Sequence, residues 1–525
     1  MLKLQNVSIE TIKGRKLIED LSFSLNKEDK LAIIGEEGNG KSTLLKAIYD
    51  KNLILPYCNV QGTIETRGEI LGYLEQKLSN NWGAFTVLDY FLKENPFSEY
   101  DYTVYEYFDK IEKKLTEFGL DKKILEDNTL IKNLSGGEQV KLQMVKILCK
   151  NPTVLLLDEP TNDLDINTLE WLENFIKSSE LPIIFISHDE TLLENCANRI
   201  LHIEQLMKKS KPKFTLAKCS YDEYVDSRRR GIEKQTQIAY NERREKAKQE
   251  EILRQIKQKV ENSLNASKKD PSNGRIVAKK MANIKAQEKK LQDEELTEIP
   301  EVEEAINLIV DKNIVVPNQK KVIDVNIKEL KAGGKKLSQN INFKIFGPQK
   351  VAITGNNGCG KTTFLKTILP ILQNTTSLKV GYFSQNYSEN LNYSATPVEE
   401  LQEANATLNP RTLLGCLKFT REEMEHKISD LSEGQKAKIL ITKLIVQKNN
   451  VLVLDEPTRN LSPLSNPVIR GVLKKFKGAI ITVSHDRKFI NEICSEVYIL
   501  DQDGLKKIEL KKKNFIENNE EVERF

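Results

Sequence analysis

Two short stretches, GEEGNGKST (Gly35–Thr43) and GNNGCGKTT (Gly355–Thr363), place glycines, a lysine and a hydroxyl side chain at the spacing that cradles phosphate. In GxxxxGK[ST] the glycines let backbone N–H groups approach the anion, and the helix that follows presents its positive end to it. Gly35, Gly38 and Gly40, and Gly355, Gly358 and Gly360, supply that access. Lys41 and Lys361 would reach the β- and γ-phosphates, and Ser42 and Thr362 would ligate Mg²⁺, with Thr43 and Thr363 beside them. Further on, Asp158 and Asp455 each end a strand-like apolar run, where a carboxylate can hold the Mg²⁺ shell. Glu159 and Glu456 come next and can polarise an attacking water. Only four histidines occur in the chain, and two of them, His188 and His485, follow equivalent apolar runs and can contact a γ-phosphate. A lone histidine would read as structural; the paired placement points to a site. Gln76 and Gln385 would contact the metal or the water. A further anion site comes from LSGGE and LSEGQ, where Ser135, Gly136, Gly137 and Glu138, and Ser432, Gly434 and Gln435, open helices.

The elements that must position these residues occur twice. After the phosphate loops, LGYLEQ (Leu71–Gln76) recurs as VGYFSQ (Val380–Gln385), and LSGGEQVK (Leu134–Lys141) as LSEGQKAK (Leu431–Lys438). VLLLDEPTNDLD (Val154–Asp165) recurs as VLVLDEPTRNLS (Val451–Ser462), and FISHD (Phe185–Asp189) as TVSHD (Thr482–Asp486). The offset is 320 at the phosphate-loop lysine, 309 at the glutamine and 297 at the last three blocks. The first copy therefore holds 12 more residues than the second between the glutamine and the LSGGE block. LAIIG, VAITG, VLLLDE and PIIFIS are near-continuous apolar runs feeding Gly-rich turns or acidic ends, as buried strands of a parallel sheet are. The fold class is α/β, with one ATPase domain at 1–215 and a second at 318–525.

Composition limits the alternatives. The 525 residues, 39% of them hydrophobic, can form two or more domains, and no run approaches a membrane span. The opening MLKLQNVSIETIKG has no apolar signal core, and the seven cysteines show no CxxC pair or metal-ligand spacing, so a reduced, cytoplasmic protein is expected. The net charge of +4 is unevenly spread: Arg228 to Lys290 carries 19 Lys or Arg against 8 Asp or Glu, leaving the remainder at −7. That asymmetry suggests a polyanionic partner for the middle segment.

The middle segment, 216–300, has helical composition, interrupted at Asp270-Pro271-Ser272-Asn273-Gly274. A helix, a tight turn and a returning helix are expected, with about 40 residues giving an arm on the order of 60 Å. Ile232, Ile238, Ile252, Ile256, Val260 and Leu264 form a thin apolar stripe, answered by Val277, Met281, Ile284 and Leu291. No aromatic residue lies between Tyr240 and Phe343, which disfavours base stacking and leaves phosphate contacts by lysine and arginine. The tip is expected at 263–275, with Lys268, Lys269, Arg275, Lys279 and Lys280 as RNA-contact candidates. The aromatic and acidic run between Trp82 and Phe108 reads as packing of a helical subdomain.

On these blocks the sequence resembles the ABC ATPases over both halves. The resemblance implies two tandem ABC-type P-loop nucleotide-binding domains joined by a two-helix linker hairpin. It also implies two ATP per chain with Mg²⁺, each ATP held between the P-loop of one domain and the LSGGQ-type motif of the other, in an intramolecular sandwich within a monomer. Two departures fall in the second copy: Glu433 replaces Gly136, and Asn460-Leu461-Ser462 replaces Asp163-Leu164-Asp165. Both would face the Lys41 site, so unequal turnover is expected. The regions TIKGRKL and LKAGGKKL lack the aromatic residue on which the family often stacks adenine, so the preference for ATP over GTP follows from family alone.

Twin ATPase domains, no membrane domain and a charged helical linker resemble the ABC-F subfamily. LDEPTRNLSPLSNPVIR (Leu454–Arg470) and LSEGQKAK look like its antibiotic-resistance branch, the Vga/Lsa-like ribosomal protection proteins. That resemblance implies a ribosomal partner (rRNA and tRNA), with the linker near the peptidyl-transferase region displacing lincosamides, pleuromutilins and group A streptogramins. Rival readings are a translation factor for stalled or vacant ribosomes and the ATPase of a transporter with a separate membrane partner. A DNA-maintenance ATPase usually carries longer coiled coils or zinc sites, and neither is visible here.

Overall fold

The computed structural model describes residues 2–162, 164–206, 211–266, 271–293, 296–298, 300 and 316–508; for 263–266 and 271–278 only the backbone is described. The chain divides into two compact units, one formed by Met1–Tyr221 with Glu303–Phe525 and the other by Asp222–Val302.

The first unit contains the same sheet twice. In the first half the order is Leu71–Leu74, Val154–Asp158, Ile183–Ile186, Lys30–Ile34, Arg199–Leu206 and Lys211–Ala217. The first five run parallel and the last is antiparallel. In the second half Val380–Phe383, Val451–Asp455, Ala479–Val483, Lys350–Thr354, Glu496–Asp501 and Gly504–Ile508 repeat the order and the senses. The apolar runs are strands because both faces are covered: Val154–Asp158 and Val451–Asp455 are buried at every position. Leu156 and Val453 are fully enclosed. Truncating a leucine such as Leu156 to alanine costs about 2–5 kcal/mol where the cavity cannot collapse.

Four adjacent parallel strands thus deliver the P-loop, the Asp-Glu pair, the histidine and the glutamine to one edge of each sheet. That carboxyl-end crevice is where open α/β sheets bind ligands. Each half adds an antiparallel layer. The first half has three strands, ordered Lys16–Ser24, Lys3–Thr11, Cys58–Glu65; the second has two, Lys321–Ala332 and Lys335–Phe346. Cys58–Glu65 lies where the repeat offset falls from 320 to 309, so the extra strand accounts for that change.

The run between Trp82 and Phe108 packs only in part. Trp82, Tyr90, Phe91 and Val104 are buried, while Phe97 is 85% exposed, Tyr102 67% and Tyr105 52%. The packing expectation is therefore corrected for the second part of that run, where short 3₁₀ turns lay the rings on the surface.

The second unit is a helical hairpin. Tyr221–Ala266 is one helix of 46 residues, opened by Asp222 and Glu223, whose charges suit a helix N-terminus. The return helix, Pro271–Gln292, has 22 residues, about half the expected length. Pro271 opens it, since a proline at the first helical position lacks an N–H that would have no partner there. Ser272, Asn273 and Gly274 are consequently helical rather than part of a turn. Beyond Asp293, among the described residues, Thr297 N–H donates to Glu242 Oε2 at 2.7 Å, and Gln235 Nε2 to the Glu298 carbonyl at 3.1 Å. The apolar stripe is narrower than expected, because Ile238, Ile252 and Ile256 are exposed while Ala239, Leu253 and Ile284 are buried. Lys257 and Glu288 pair across the hairpin at 2.9 Å.

Candidate nucleotide sites between the two halves

Each P-loop is built alike. Gly35 and Gly355 have φ of 149° and 144°, and a Cβ there would lie 2.3 Å from the Ile203 carbonyl oxygen and 2.4 Å from that of Leu500. Only glycine lets the strand turn back so closely. The loop then opens a helix at Lys41 or at Lys361. Lys41 Nζ donates to the Gly35 and Glu36 carbonyls, both at 2.9 Å, and Lys361 Nζ to those of Gly355 and Asn356 at 2.8 and 2.9 Å. These ammonium groups lie beneath the loop, buried, which lowers the Lys41 pKa despite Glu159, Glu37 and Asp158 nearby.

Glu159 and Glu456 share an unusual backbone, with φ of 48° and 53°. The left-handed region disfavours residues with a Cβ and persists where the surroundings enforce it, often at functional sites. Here Glu159 N–H donates to the Ile186 carbonyl at 3.1 Å and Glu456 N–H to that of Val483 at 2.9 Å. Each carboxylate is thereby aimed out of its sheet.

The two sites then diverge. At the Lys41 site, Glu159 accepts from Gln76 Nε2 at 2.6 Å and Asn162 Nδ2 at 2.7 Å, with His188 Nε2 at 3.1 Å. Burial would raise its pKa, but His188, Lys41 and Asn162 hold it at about 2. Asp158 accepts from Ser42 Oγ at 2.8 Å and from the Tyr73 hydroxyl at 3.1 Å. His188 Nδ1 lies 2.9 Å from the Leu461 carbonyl oxygen of the other half. Gly434 N–H donates to Glu37 Oε2 at 2.8 Å, joining the start of the second signature helix to the first P-loop. Glu36 and Lys418 add an ion pair at 3.7 Å.

At the Lys361 site the same positions are less occupied by protein. Gln385 Nε2 donates to Asp455 Oδ1 at 3.2 Å rather than to the glutamate. Asp455 Oδ2, the Tyr382 hydroxyl and His485 Nδ1 are buried with no hydrogen-bond partner. Burial and then the Asp455 charge push Glu456 up to about 8, and burial together with Lys361 brings His485 down to about 4. A cavity of about 580 Å³ opens there. Gly358, Gly360, Lys361, Thr362, Thr363, Gln385, Glu456 and His485 line it from the second half, and Gly136, Thr161, Asn162 and His188 from the first. Its mouth adds Ala332 and Leu337, both aliphatic, in keeping with the lack of an aromatic residue in LKAGGKKL.

An orphaned, buried carboxylate oxygen beside the Thr362 hydroxyl, which also bonds Asp455, suits a hard divalent cation. Ser42 and Asp158 form the corresponding pair in the first half. The signature serines act first on their own helices: Ser135 caps Gly136–Cys149 in a reciprocal pair with Glu138, and Ser432 caps Glu433–Val446 with Gln435. Glu433 turns to Lys436 at 2.8 Å. Asp165 caps its helix through Thr168, whereas Ser462 bonds Ser465 and the following helix starts at Asn466. Asp163 lies outside the described residues. So do Lys268 and Lys269, and so does the side chain of Arg275; Lys279 and Lys280 are exposed on the return helix.

Sequence reading missed Asn162, Tyr73, Glu37 and the contacts that join the halves. The repeat held the signal, since position 162 is Asn in the first copy and 459 is Arg in the second.

A third set of contacts lies on the helices beyond the sites. Arg470 donates to both oxygens of Glu190, at 2.5 and 3.0 Å, with both residues buried. Arg487 pairs with Glu173, and Lys488 with Glu194. The acidic partners all belong to the first half and the basic ones to the second.

Comparison with known proteins agrees with this architecture. A family model described as ABC transporter matches residues 18–162 and 338–459. ABC transporter F family member 2 of Arabidopsis thaliana is 27% identical over 99% of this chain and 79% of its own length. ATP-binding protein Uup of Escherichia coli (strain K12) is 28% identical over 93% of this chain and 78% of its own. Among solved structures, RNase-L Inhibitor superimposes with a TM-score of 0.58 at 15% identity, covering 96% of this chain and 90% of that one. An archaeal ribosome recycling factor, aABCE1, solved with the ribosomal stalk protein aP1, gives 0.59 at the same identity and coverage. Among the described residues no helix is long and apolar enough to cross a membrane. Matched in both halves and over half its length, the chain belongs to the ABC transporter family, as a tandem ATP-hydrolysing protein whose near-full-length relatives include F-family members.

Proposed function

We propose that the chain is an ATPase that binds the ribosome through its basic hairpin and uses ATP to time entry and release. The observation that carries this reading is the segregation of charge: Arg228–Lys290 has 19 basic and 8 acidic residues, and it falls within a separate unit. A transport ATPase has no need of such a segment, and polyphosphate RNA is its natural counterpart. Two structural neighbours of this fold support the reading by their names, an archaeal ribosome recycling factor, aABCE1, and a chain from a model of ribosome-bound archaeal Pelota and ABCE1.

In this reading the domains are 1–215 and 318–525, with 216–300 as linker, and the chain is a cytoplasmic monomer. It takes two ATP with Mg²⁺. Lys41 and Lys361 bind the phosphates, Ser42 with Asp158 and Thr362 with Asp455 hold the metal, and Glu159 and Glu456 orient water beside His188 and His485. Mg²⁺ would neutralise charge on the phosphates. What the chain itself contributes is positioning and exclusion of solvent as the halves close. Lys268, Lys269, Arg275, Lys279 and Lys280 meet rRNA and tRNA near the peptidyl-transferase region, where lincosamides, pleuromutilins and group A streptogramins are displaced.

The test is sedimentation of the Glu159→Gln, Glu456→Gln chain with ribosomes in ATP. ATP-dependent co-sedimentation, lost when the basic residues of 268–280 are neutralised, is the expected result. Absence of association at low and moderate salt would overturn it. For drug displacement, the same complex should release bound lincosamide from the ribosome; a complex that forms and leaves the drug in place identifies a translation factor instead.

A further inference from the structure

The ion pairs between the halves follow a rule that appears once the repeat offset of 297 is applied to them. Position 173 corresponds to 470, and 190 to 487. The first half therefore carries Glu173 and Glu190 where the second carries Arg470 and Arg487. In the structure Glu190 meets Arg470 and Glu173 meets Arg487. These are a single contact seen from its two sides, with the charges inverted.

Supporting residues follow the same inversion. Asn195 Nδ2 donates to Glu173 Oε2 at 3.0 Å, and the equivalent Glu492 lies 3.1 Å from Arg470 Nε. The buried anion has a donor beside it and the buried cation a carboxylate, the latter as an ion pair rather than a hydrogen bond. Asp189, 3.8 Å from Arg487, and Lys488, 3.5 Å from Glu190, extend the acidic face of one half and the basic face of the other. Asp486 and Glu492 are acidic on the otherwise basic face, and Arg470 opposes the charge of both.

We infer that these four residues are a pairing code, by which the face of each half accepts the other half of this chain and rejects a copy of itself. Pairing two first halves would bury Glu173 against Glu190 twice, and pairing two second halves would bury Arg470 against Arg487 twice. Buried like charges are strongly unfavourable, whereas removal of one partner from a buried pair leaves an uncompensated charge. Specificity of this kind comes as much from penalising the wrong pairing as from favouring the right one. Nothing in the reaction requires the inversion: the P-loop lysines, the Asp-Glu pairs, the histidines and the glutamines are repeated with like types, while these are repeated with opposite charge.

The test uses three full-length chains. Arg470→Glu with Arg487→Glu makes both faces acidic, and Glu173→Arg with Glu190→Arg makes both basic. Each should lose ATPase activity by roughly tenfold or more. The third chain carries all four changes, which restores the opposite charges in exchanged places, and should recover to within about threefold of the parent. The acidic and basic chains, mixed, should regain activity as a complex of twice the chain mass. The inference is overturned if the single-sign chains keep full activity. It is equally overturned if the exchanged chain, folded by circular dichroism and able to bind nucleotide, stays as inactive as they are and the mixture yields no active complex. Should the exchanged chain fail to fold, Glu190→Ala, Arg470→Ala and their combination decide. A combined loss no greater than the worse single loss supports the code, and multiplicative losses overturn it.

Discussion

At the scale of residues, the two sites have the same side chains in different states of engagement. Glu159 is engaged by the Gln76, Asn162 and His188 side chains, while Glu456 accepts only the His485 backbone N–H at 3.3 Å, with the His485 imidazole Nε2 3.6 Å away. Glu37 takes the Gly434 N–H, a helix-start donor suited to an anion, where the second P-loop has the neutral Asn357. Turnover should therefore be carried mainly by the Lys361 site. Glu456→Gln is expected to lower steady-state ATPase by about 10²-fold, in the range for removal of a catalytic acid–base group. Glu159→Gln should cost no more than about threefold, as loss of a minor contributor does. Equal losses would contradict the asymmetry. Glu37→Asn, which copies the second P-loop, should raise the residual rate of the Glu456→Gln chain by several-fold, read by single-turnover hydrolysis. Most of the site was legible because its chemistry needs fixed residue types at fixed spacing. The engagement of each residue was not, since Gln76 and Gln385 are the same residue bonded to different carboxylates.

At the scale of elements, the strands were legible because five-residue apolar runs between glycine turns and acidic ends admit few other readings. The hairpin was less so: charged helices have weak periodicity, and Pro271 serves to start a helix as readily as to break one. Helix starts also carry a pH prediction. Asp486 caps Arg487–Ile493 through Phe489. Burial first, then the charges of Asp189 and Glu190, raise it to about 6, against the help of Phe489 N–H and Arg470. An acid whose folded pKa is raised adds stability in its protonated form, and that stability is lost as pH rises through about 6. Asp486→Asn keeps a capping oxygen and cannot ionise. Its melting temperature relative to the parent should climb between pH 5 and pH 8, and a difference that stays flat over that range would contradict the assignment.

At the scale of the whole molecule, a mildly acidic pair of ATPase halves is joined to a basic hairpin, and the proposed function assigns hydrolysis to the first and polyanion contact to the second. If Lys279 and Lys280 each neutralise a phosphate, removing both should flatten the log–log salt dependence of ribosome binding by about two. ATPase activity without ribosomes should not change, and an unchanged salt slope would place the contact elsewhere on the hairpin. Sequence alone could not show the fit of the halves, because Glu173, Glu190, Arg470 and Arg487 look like ordinary surface charges until the fold buries the first three and half-buries Arg487. The shorter antiparallel layer of the second half has its own consequence. Cys58–Glu65 covers the outer side of Lys3–Thr11, but among the described residues no strand covers that side of Lys321–Ala332. A twelve-residue edge of this kind is a template on which other chains can assemble as sheet, and Lys321, Lys328 and Lys331 stand along it. Those lysines act as gatekeepers, so the colloidal behaviour of the protein in concentrated solution rests on one strand's charges more than on the stability of either core.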